Sequence, residues 1–459
     1  MFDKIKKVKI KVLLILKTAI YFYKRSNGFG DFVKKGYRYF KKNGFRFEQF
    51  YSMVFVCPAI NNDSSEVSSS ALFFQRFPNL ISFPTIQVAS EFRINLVTDS
   101  LAENGLFGGV STSVVFAILL ANYFCCPLRV ITRDSASSAS VLLKIAQLNQ
   151  IKINTVYEVN NFNYAFEKNP KYRLPVSESD LFVATSWWSA WTIREVSRRK
   201  KYIYLIQEYE KIFYSNGDEH RLIDKVFFDE KMIPVINTDL LYQFFKENNY
   251  HHITNNGISF EPAFLSGAFK KNTPPTSSKK DKKKFNLFFY SRPNVPRNLF
   301  HTGLELIETA ILLGIINPDE WEFFFAGTNS RSVVLAQQIK PTYLGKLTWP
   351  KYLEFLGSID LGISLMIAPT PSYPPIDLAV AGGVALTNQY ANKKNLDMYS
   401  KNIICSELNM ESLLKNLELA VALAKNPEER EKNFAANTIV NNWEQSFLDV
   451  LLKIEQQIK

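Results

Sequence analysis

Three ionisable side chains stand where the chain turns out of apolar runs. Arg292 follows Phe285 to Tyr290 in Ser291-Arg292-Pro293, Lys346 follows Tyr343-Leu344-Gly345, and Asp377 follows Pro374-Pro375-Ile376. A guanidinium at a strand end can hold a diphosphate through two parallel N–H donors, and a lysine adds a compact second cation. Together they would stabilise the negative charge that grows on a phosphate leaving group. Asp377 has two readings, as a carboxylate that favours the positive end of a helix or as an acceptor for a nucleoside's ribose hydroxyl. Arg292 and Lys346 have plainer alternatives too, a surface salt bridge and a solvated lysine.

A second group lies in the first half of the chain. Asp99 and Glu103 follow the apolar run Phe92 to Val97 and precede Phe107-Gly108-Gly109. Two glycines at a helix start let backbone approach a ligand closely and present N–H groups to it. Asp99 and Glu103 are candidate general bases there. Ser186-Trp187-Trp188 and Gln207-Glu208-Tyr209-Glu210 follow two further apolar runs. Aromatic faces beside carboxylates and amides suit sugar rings, which have apolar C–H faces and hydroxyl rims. Core filling by the tryptophans and a solvated loop for Glu208 and Glu210 stand equally open.

The elements that must position these groups alternate in type. Phe92 to Val97, Leu128 to Thr132, Leu181 to Ala184 and Lys201 to Ile206 read as strands, with helices over Gly108 to Phe124, Ser137 to Leu148 and Trp187 to Ser197 between them. Lys270 to Lys284 is a Lys, Pro and Ser linker with no apolar side chain beyond its prolines. Beyond it, Phe285 to Tyr290 and Trp321 to Ala326 read as strands, Asn298 to Leu313 and Trp349 to Leu356 as helices, and Tyr343 to Leu347 as a loop. Leu361 to Ile367 is a strand stopped by Pro369 and Pro371; a short helix opens at Pro374-Pro375, stops at Gly382-Gly383, and returns as the strand Val384 to Thr387. That helix, with Asp377 in its first turn and amides over Tyr373 to Ile376, faces the carboxyl end of the strand, where an anion is favoured. Met410 to Ala424 and Glu428 to Lys459 read as helices. Such alternation predicts parallel sheets, and 459 residues exceed what one core supports, so two α/β domains are expected.

Composition narrows the partners. With 46% hydrophobic and 21% charged residues the chain is not disordered. The net charge of +12 belongs almost wholly to residues 1–50, where fourteen Lys and Arg face Asp3, Asp31 and Glu48. The rest lacks the basic footprint of a nucleic-acid binder. Within Lys4 to Tyr23 the uninterrupted apolar part, Val12 to Leu16, falls far short of the ~20 residues of a membrane span. A basic amphipathic helix on an anionic membrane surface is expected, with docking on the protein as the alternative. Cys57, Cys125, Cys126 and Cys405 have no metal-ligand spacing, and without a cleavable leader the cytoplasm is the expected compartment. His220, His251, His252 and His301 include no i, i+4 pair, and no Asp-x-Asp offers a carboxylate pair for a divalent cation.

Pro371-Ser372-Tyr373-Pro374-Pro375-Ile376-Asp377, followed by Ala381-Gly382-Gly383-Val384 and Thr387-Asn388, resembles the donor-site segment of GT-B glycosyltransferases. It is most similar to that of the WsaF-type rhamnosyltransferases, which build bacterial surface polysaccharides. Phe107-Gly108-Gly109 and Arg292-Pro293 resemble the same family. In many retaining members two glutamates eight positions apart serve the sugar and the ribose; here Asp377 takes the second place and Pro369 stands at the first. The resemblance implies two Rossmann-like parallel-sheet domains facing a cleft. The acceptor domain would span 51–269, the linker 270–284, the nucleotide-sugar domain 285–435, and a last helix over 436–459 would cross back, with 1–50 as a basic helical extension. Arg292 and Lys346 would serve the leaving group. Leu344, Gly345, Thr370, Ser372, Tyr373, Pro374, Pro375, Ile376 and Asp377 would hold the donor, and Asp99, Phe107, Gly108, Gly109, Trp188, Gln207, Glu208 and Tyr209 would face the acceptor.

The activity so implied is metal-independent, retaining transfer of a deoxysugar, L-rhamnose from dTDP-L-rhamnose, to a saccharide or lipid-linked oligosaccharide at the inner membrane face. The leaving phosphate would take the acceptor proton. Two alternatives stay open, a GT-B transferase using a UDP- or GDP-hexose and a non-catalytic saccharide-binding scaffold in an envelope-polymer assembly.

Overall fold

The computed structural model describes residues 68–101, 108–134, 138–161, 173–197, 201–265, 284–328 and 332–458. The chain forms two compact units, Met1–Ile81 with Asn163–Tyr172, and Ser82–Phe162 with Arg173–Lys459. In the first, the described part holds α1 (Ser69–Arg76), which the Ser68 hydroxyl caps by accepting the Ala71 N–H at 3.3 Å, and a 3-10 turn over Pro78–Leu80. The basic helix expected over 1–50 and the linker, save Lys284, lie outside the described residues.

The second unit carries two large parallel sheets and a small two-stranded one. Its first lobe runs β1 (Thr85–Gln87), β2 (Arg93–Thr98), α2 (Gly109–Tyr123), β3 (Leu128–Thr132), α3 (Ala139–Leu148), β4 (Tyr157–Asn161), β5 (Leu174–Val176) and β6 (Asp180–Ala184). It continues with α4 (Trp187–Val196), β7 (Tyr202–Ile206), α5 (Asp218–Phe227), β8 (Met232–Asn237), α6 (Asp239–Glu247), α7 (His251–Asn256) and β9 (Ile258–Phe260). Seven strands pair in the order β4-β3-β2-β6-β7-β8-β9, and β1 pairs with β5 apart from them. Strands β2, β3, β6, β7 and β8 are almost wholly buried, which explains their mainly apolar runs; Asn95 and Arg129, which interrupt β2 and β3, bond each other at 2.6 Å. Helix α2 is apolar around its circumference because it is covered on every side; Ser111 to Ala121 are all buried.

The second lobe runs β10 (Phe285–Tyr290), α8 (Phe300–Leu312), β11 (Trp321–Ala326), β12 (Thr342–Gly345), α9 (Trp349–Leu356), β13 (Leu361–Ile363), α10 (Tyr373–Val380), β14 (Val384–Asn388), β15 (Ile403–Ser406), α11 (Met410–Lys425) and α12 (Pro427–Ala435). Its strand order is β12-β11-β10-β13-β14-β15. The chain then crosses to the first lobe, where α13 (Trp443–Ile458) packs Phe447 against Phe116 and Phe260 at ring separations of 5.0 and 4.4 Å. Trp443, Val450, Leu451 and Ile454 join that first-lobe core. Both sheets reverse direction of build at an inner pair, β2 beside β6 and β10 beside β13, and such switch points leave a crevice beyond the strands' carboxyl ends.

Several elements depart from the sequence expectations. The strand expected over Leu361 to Ile367 ends at Ile363, because Asn388 takes both backbone groups of Met366 and the Arg297 carbonyl takes the Ile367 N–H. The loop expected from Tyr343 begins as edge strand β12. Helix over Glu428 to Lys459 is broken between Ala435 and Trp443, where the chain changes lobes. Helix α10 starts at Tyr373, so Asp377 falls in its second turn rather than its first. Among the described residues no helix is long and apolar enough to cross a membrane.

Candidate active site in the cleft

Cations gather at the carboxyl ends of β10 and β12. The chain leaves β10 at Ser291, whose carbonyl approaches Gly327 so closely that a Cβ there would stand 1.9 Å from it, at a φ of +153°. Glycine is therefore required, and the same Cβ would come 3.2 Å from Arg292 Cγ. Arg292 is half-buried and its guanidinium donates to the Tyr290 hydroxyl at 3.4 Å. Lys346 is exposed, yet partial loss of solvent and then the nearby Arg292 hold its pKa below the ordinary value. A third cation, Arg297, escaped the sequence reading. Burial lowers its pKa, Glu208 opposes that, and Arg292 lowers it further, so the two guanidinia are within electrostatic reach of each other. Its Nε is buried with no hydrogen-bond partner, and its guanidinium sits 4.4 Å over the ring of Phe213 from the first lobe. The available signal was its spacing, five residues after Arg292 across a proline-bounded turn.

The loop after β13 is held by side chains rather than by a ladder. Asn298 donates to the Leu365 carbonyl at 3.4 Å, Asn388 brackets Met366, and the buried Lys393 donates to the Met366 carbonyl at 3.3 Å. Ser372 caps α10 at a φ of +64° and makes no side-chain cap bond. Pro374 and Pro375 have no N–H and Ile376 begins the intrahelical ladder, so this helix start presents the amides of Ser372 and Tyr373, not the whole run from Tyr373 to Ile376. The Tyr373 ring spans the cleft. Its hydroxyl lies 3.2 Å from the Thr112 hydroxyl and accepts the Asn237 amide at 2.9 Å, while Phe264 packs edge-on at 5.3 Å.

Beside Tyr373 lies an open crevice lined by Gly108, Thr112, Trp349, Leu353, Asp377 and Trp443 among others. Asp377 is buried there and its Oδ2 accepts the Tyr352 hydroxyl at 3.2 Å. Burial pushes its carboxyl up to about 7, and the Tyr352 bond counteracts only part of this. Of the residues expected to hold the donor, Leu344 is half-buried against the second-lobe core and the Gly345 carbonyl accepts the Gly327 N–H at 3.0 Å.

Across the cleft, the structure joins Asp99 to Trp188, whose Nε1 donates to both carboxylate oxygens at 2.9 and 3.0 Å. Burial raises the Asp99 pKa, with the Trp188 bond and Arg133 opposing. Gly108 holds a φ of +64° at the start of α2, and Gln207 donates to the Gly109 carbonyl at 2.8 Å. Thr370 is tied to Glu208 at 3.1 Å. Tyr209 instead packs its ring among Phe244, Phe245 and Tyr250, inside the first lobe. Trp187 is core, and Glu210 caps α4 by accepting the Trp187 N–H at 2.9 Å. Phe107 and Glu103 lie outside the described residues. Among those described, no three His, Cys, Asp or Glu side chains are grouped to hold a metal ion.

Family models for the WsaF N-terminal and C-terminal domains match residues 93–239 and 285–418. The chain belongs to the WsaF family. A curated relative of this WsaF-family chain, the O-antigen biosynthesis protein RfbC of Myxococcus xanthus, is 26% identical over 268 residues, 58% of this chain and 20% of that protein. The chain thus spans about a fifth of that relative's length. Among solved structures it is similar to a glycosyltransferase from Rickettsia africae (TM-score 0.51, 14% identity, covering 80% of this chain and 100% of that one). It is similar to Anabaena HepE in complex with UDP (0.51, 12%, 80% and 99%) and to a sucrose-phosphate synthase from Thermosynechococcus elongatus (0.53, 10%, 80% and 99%). At these identities the likeness is one of fold, and the fold is the GT-B fold of glycosyltransferases.

Proposed function

We propose that this WsaF-family protein transfers a deoxysugar, L-rhamnose from dTDP-L-rhamnose, to a saccharide or lipid-linked oligosaccharide acceptor during surface polysaccharide synthesis. The observation that carries the reading is the convergence of Arg292, Arg297 and Lys346 at the switch point of the second lobe. Three cations in a partly dry cleft oppose the charge that develops on a departing diphosphate, the work a divalent ion does elsewhere, so no metal is required. The unpartnered Arg297 Nε supports this, since a buried donor left without an acceptor is costly unless a ligand supplies one. Asp377 would accept a hydroxyl of the nucleoside sugar, with the indole of Trp349 in the same crevice as an apolar face.

On the first-lobe side Asp99 fixes the Trp188 indole by engaging its N–H, and that plane suits the apolar face of a saccharide. The diphosphate oxygen, freed as the glycosidic bond to it breaks, takes the acceptor hydroxyl proton, and the anomeric configuration is retained. Residues 1–50, with their basic charge, suit an anionic inner membrane surface where lipid-linked acceptors reside. Thermal-shift measurements with dTDP, UDP and GDP test the donor class, since binding to the native state raises its stability by an amount set by affinity. Arg292→Ala and Arg297→Ala should each lower kcat/KM by about 10²- to 10³-fold, as loss of one leaving-group donor does. Undiminished transfer by both variants, or no shift with any nucleotide, refutes the reading and favours a saccharide-binding scaffold.

A further inference from the structure

Glu208, just past β7, reaches from the first lobe into a corner of the second. Its Oε2 accepts the Thr370 hydroxyl at 3.1 Å and its Oε1 accepts the Tyr209 N–H at 3.0 Å. Burial raises its pKa, while Arg297 first and Lys393 last among the opposing groups pull it down, so both cations stand within electrostatic reach. Lys393 is fully buried, and burial pushes its ammonium down to about 8 against the pull of Cys405 and Glu208. Pro369, next to Thr370, has no polar side chain. Glu208 therefore supplies this corner with its carboxylate from across the cleft.

The succession of neighbours along the cleft says what the corner faces. Asp377 accepts the Tyr352 hydroxyl and Arg292 donates to the Tyr290 hydroxyl, while Tyr290 lies within electrostatic reach of Tyr352, and Arg292 and Glu208 within electrostatic reach of Arg297. A nucleoside diphosphate sugar laid along that line, with its nucleoside at Asp377 and its diphosphate on the two guanidinia, brings the sugar to Glu208. Each carboxylate oxygen keeps acceptor capacity beyond the bond it already makes, and a sugar hydroxyl is the donor that fits it.

We infer that Glu208 is a specificity-determining residue that binds hydroxyls of the donor's sugar, with Thr370 and Lys393 as positioning residues that hold the carboxylate at that place. The inference rests on the donor-site reading above, and it moves Glu208 from the acceptor side of the cleft to the donor side.

Calorimetric titration of the full chain and its Glu208→Gln and Glu208→Ala variants with dTDP, dTDP-L-rhamnose, UDP and UDP-glucose tests it. The free diphosphates should bind the variants within about twofold of wild type. The sugar nucleotide that wild type prefers should bind Glu208→Ala about 10- to 100-fold more weakly, the range for a lost hydrogen bond to a charged group, and Glu208→Gln in between. Unchanged sugar-nucleotide affinity in Glu208→Ala overturns the inference. An equal loss for free diphosphate and sugar nucleotide also overturns it, by showing that Glu208 only latches the lobes. Wild type that binds none of the four ligands overturns the donor-site reading and the inference with it, so the two failures are told apart.

Discussion

Replacing Asp377 with Asn should make the protein more stable and a poorer nucleotide binder at once. The carboxyl sits at about 7 in the native state against an ordinary 3.8, raised by burial. Below pH 3.8 it is protonated in both folded and unfolded chains and costs nothing. Between the two values the unfolded chain gives up a proton that the folded chain keeps, so native stability falls as pH rises, and above about 7 the cost levels off. At about 1.36 kcal/mol per pH unit the full cost reaches about 4 kcal/mol. Asn has the same shape and keeps an acceptor for the Tyr352 hydroxyl, though a weaker one by about 1 kcal/mol, which leaves a net gain of about 3 kcal/mol for Asp377→Asn at pH 8. Urea unfolding followed by tryptophan fluorescence at pH 5, 6, 7 and 8 should show the advantage of the variant growing with pH. The same substitution should weaken UDP and dTDP about tenfold or more at pH 8, where the lost acceptor is ionised. Wild-type affinity should itself rise through pH 7. A stability difference that does not change between pH 5 and pH 8 would show that the carboxyl is not desolvated, and unaltered nucleotide affinity would remove it from the nucleoside site.

Gly327→Ala forces a methyl into the Ser291 carbonyl, which is backbone and cannot swing aside. It should cost about 2–4 kcal/mol in urea unfolding and, by shifting Arg292, reduce UDP affinity at least tenfold by calorimetry; a variant with wild-type affinity would uncouple Gly327 from the cation site. Tyr373→Phe removes the hydroxyl shared by Thr112 and Asn237 and should lower stability by about 1–2 kcal/mol, read as a shift of the urea midpoint; no shift would mean that water replaces those bonds without cost.

What the sequence disclosed follows what is local. Phe285 to Tyr290, Trp321 to Ala326 and Leu128 to Thr132 were legible to the residue, because strands flanked by helices are mainly apolar, and Asn286, Glu322 and Arg129 do not interrupt the pattern enough to hide it. Tyr157–Asn161 and Ile403–Ser406 were not, since these edge strands are held by pairing with β3 and β14, the first is half polar and the second is only four residues long. Leu361 to Ile367 looked like one strand because the competitors for its backbone, Asn388 and Arg297, lie outside it. The start of α10 was misplaced for a related reason: the two prolines occupy its second and third positions, not its first. The site shows the same division. The sequence singled out Arg292, Asp377 and the Gly108-Gly109 turn one by one, whereas the Asp99–Trp188 pair joins residues 89 apart and Glu208 meets Thr370 across 162. Contacts of that range leave no periodicity to read.

The contacts between the lobes combine polar bonds with the packing of Leu240 and Phe264 on the second-lobe core. Tyr373 with Thr112 and Asn237, Thr370 with Glu208, and Tyr399 with Glu261 at 2.7 Å are polar bonds made by loop and helix-end side chains. Each is worth about 1 kcal/mol net, or somewhat more to a carboxylate, because water takes its place when it opens. Helix α13 is fastened differently, by Phe447, Val450 and Ile454 at 0% exposure in the first-lobe core, so it moves with that lobe although it follows the second in sequence. The chain passes between lobes once before Phe285 and once between Ala435 and Trp443, so parting the lobes would break hydrogen bonds that water replaces and would also uncover Leu240 and Phe264, whose packing on the second-lobe core water does not replace.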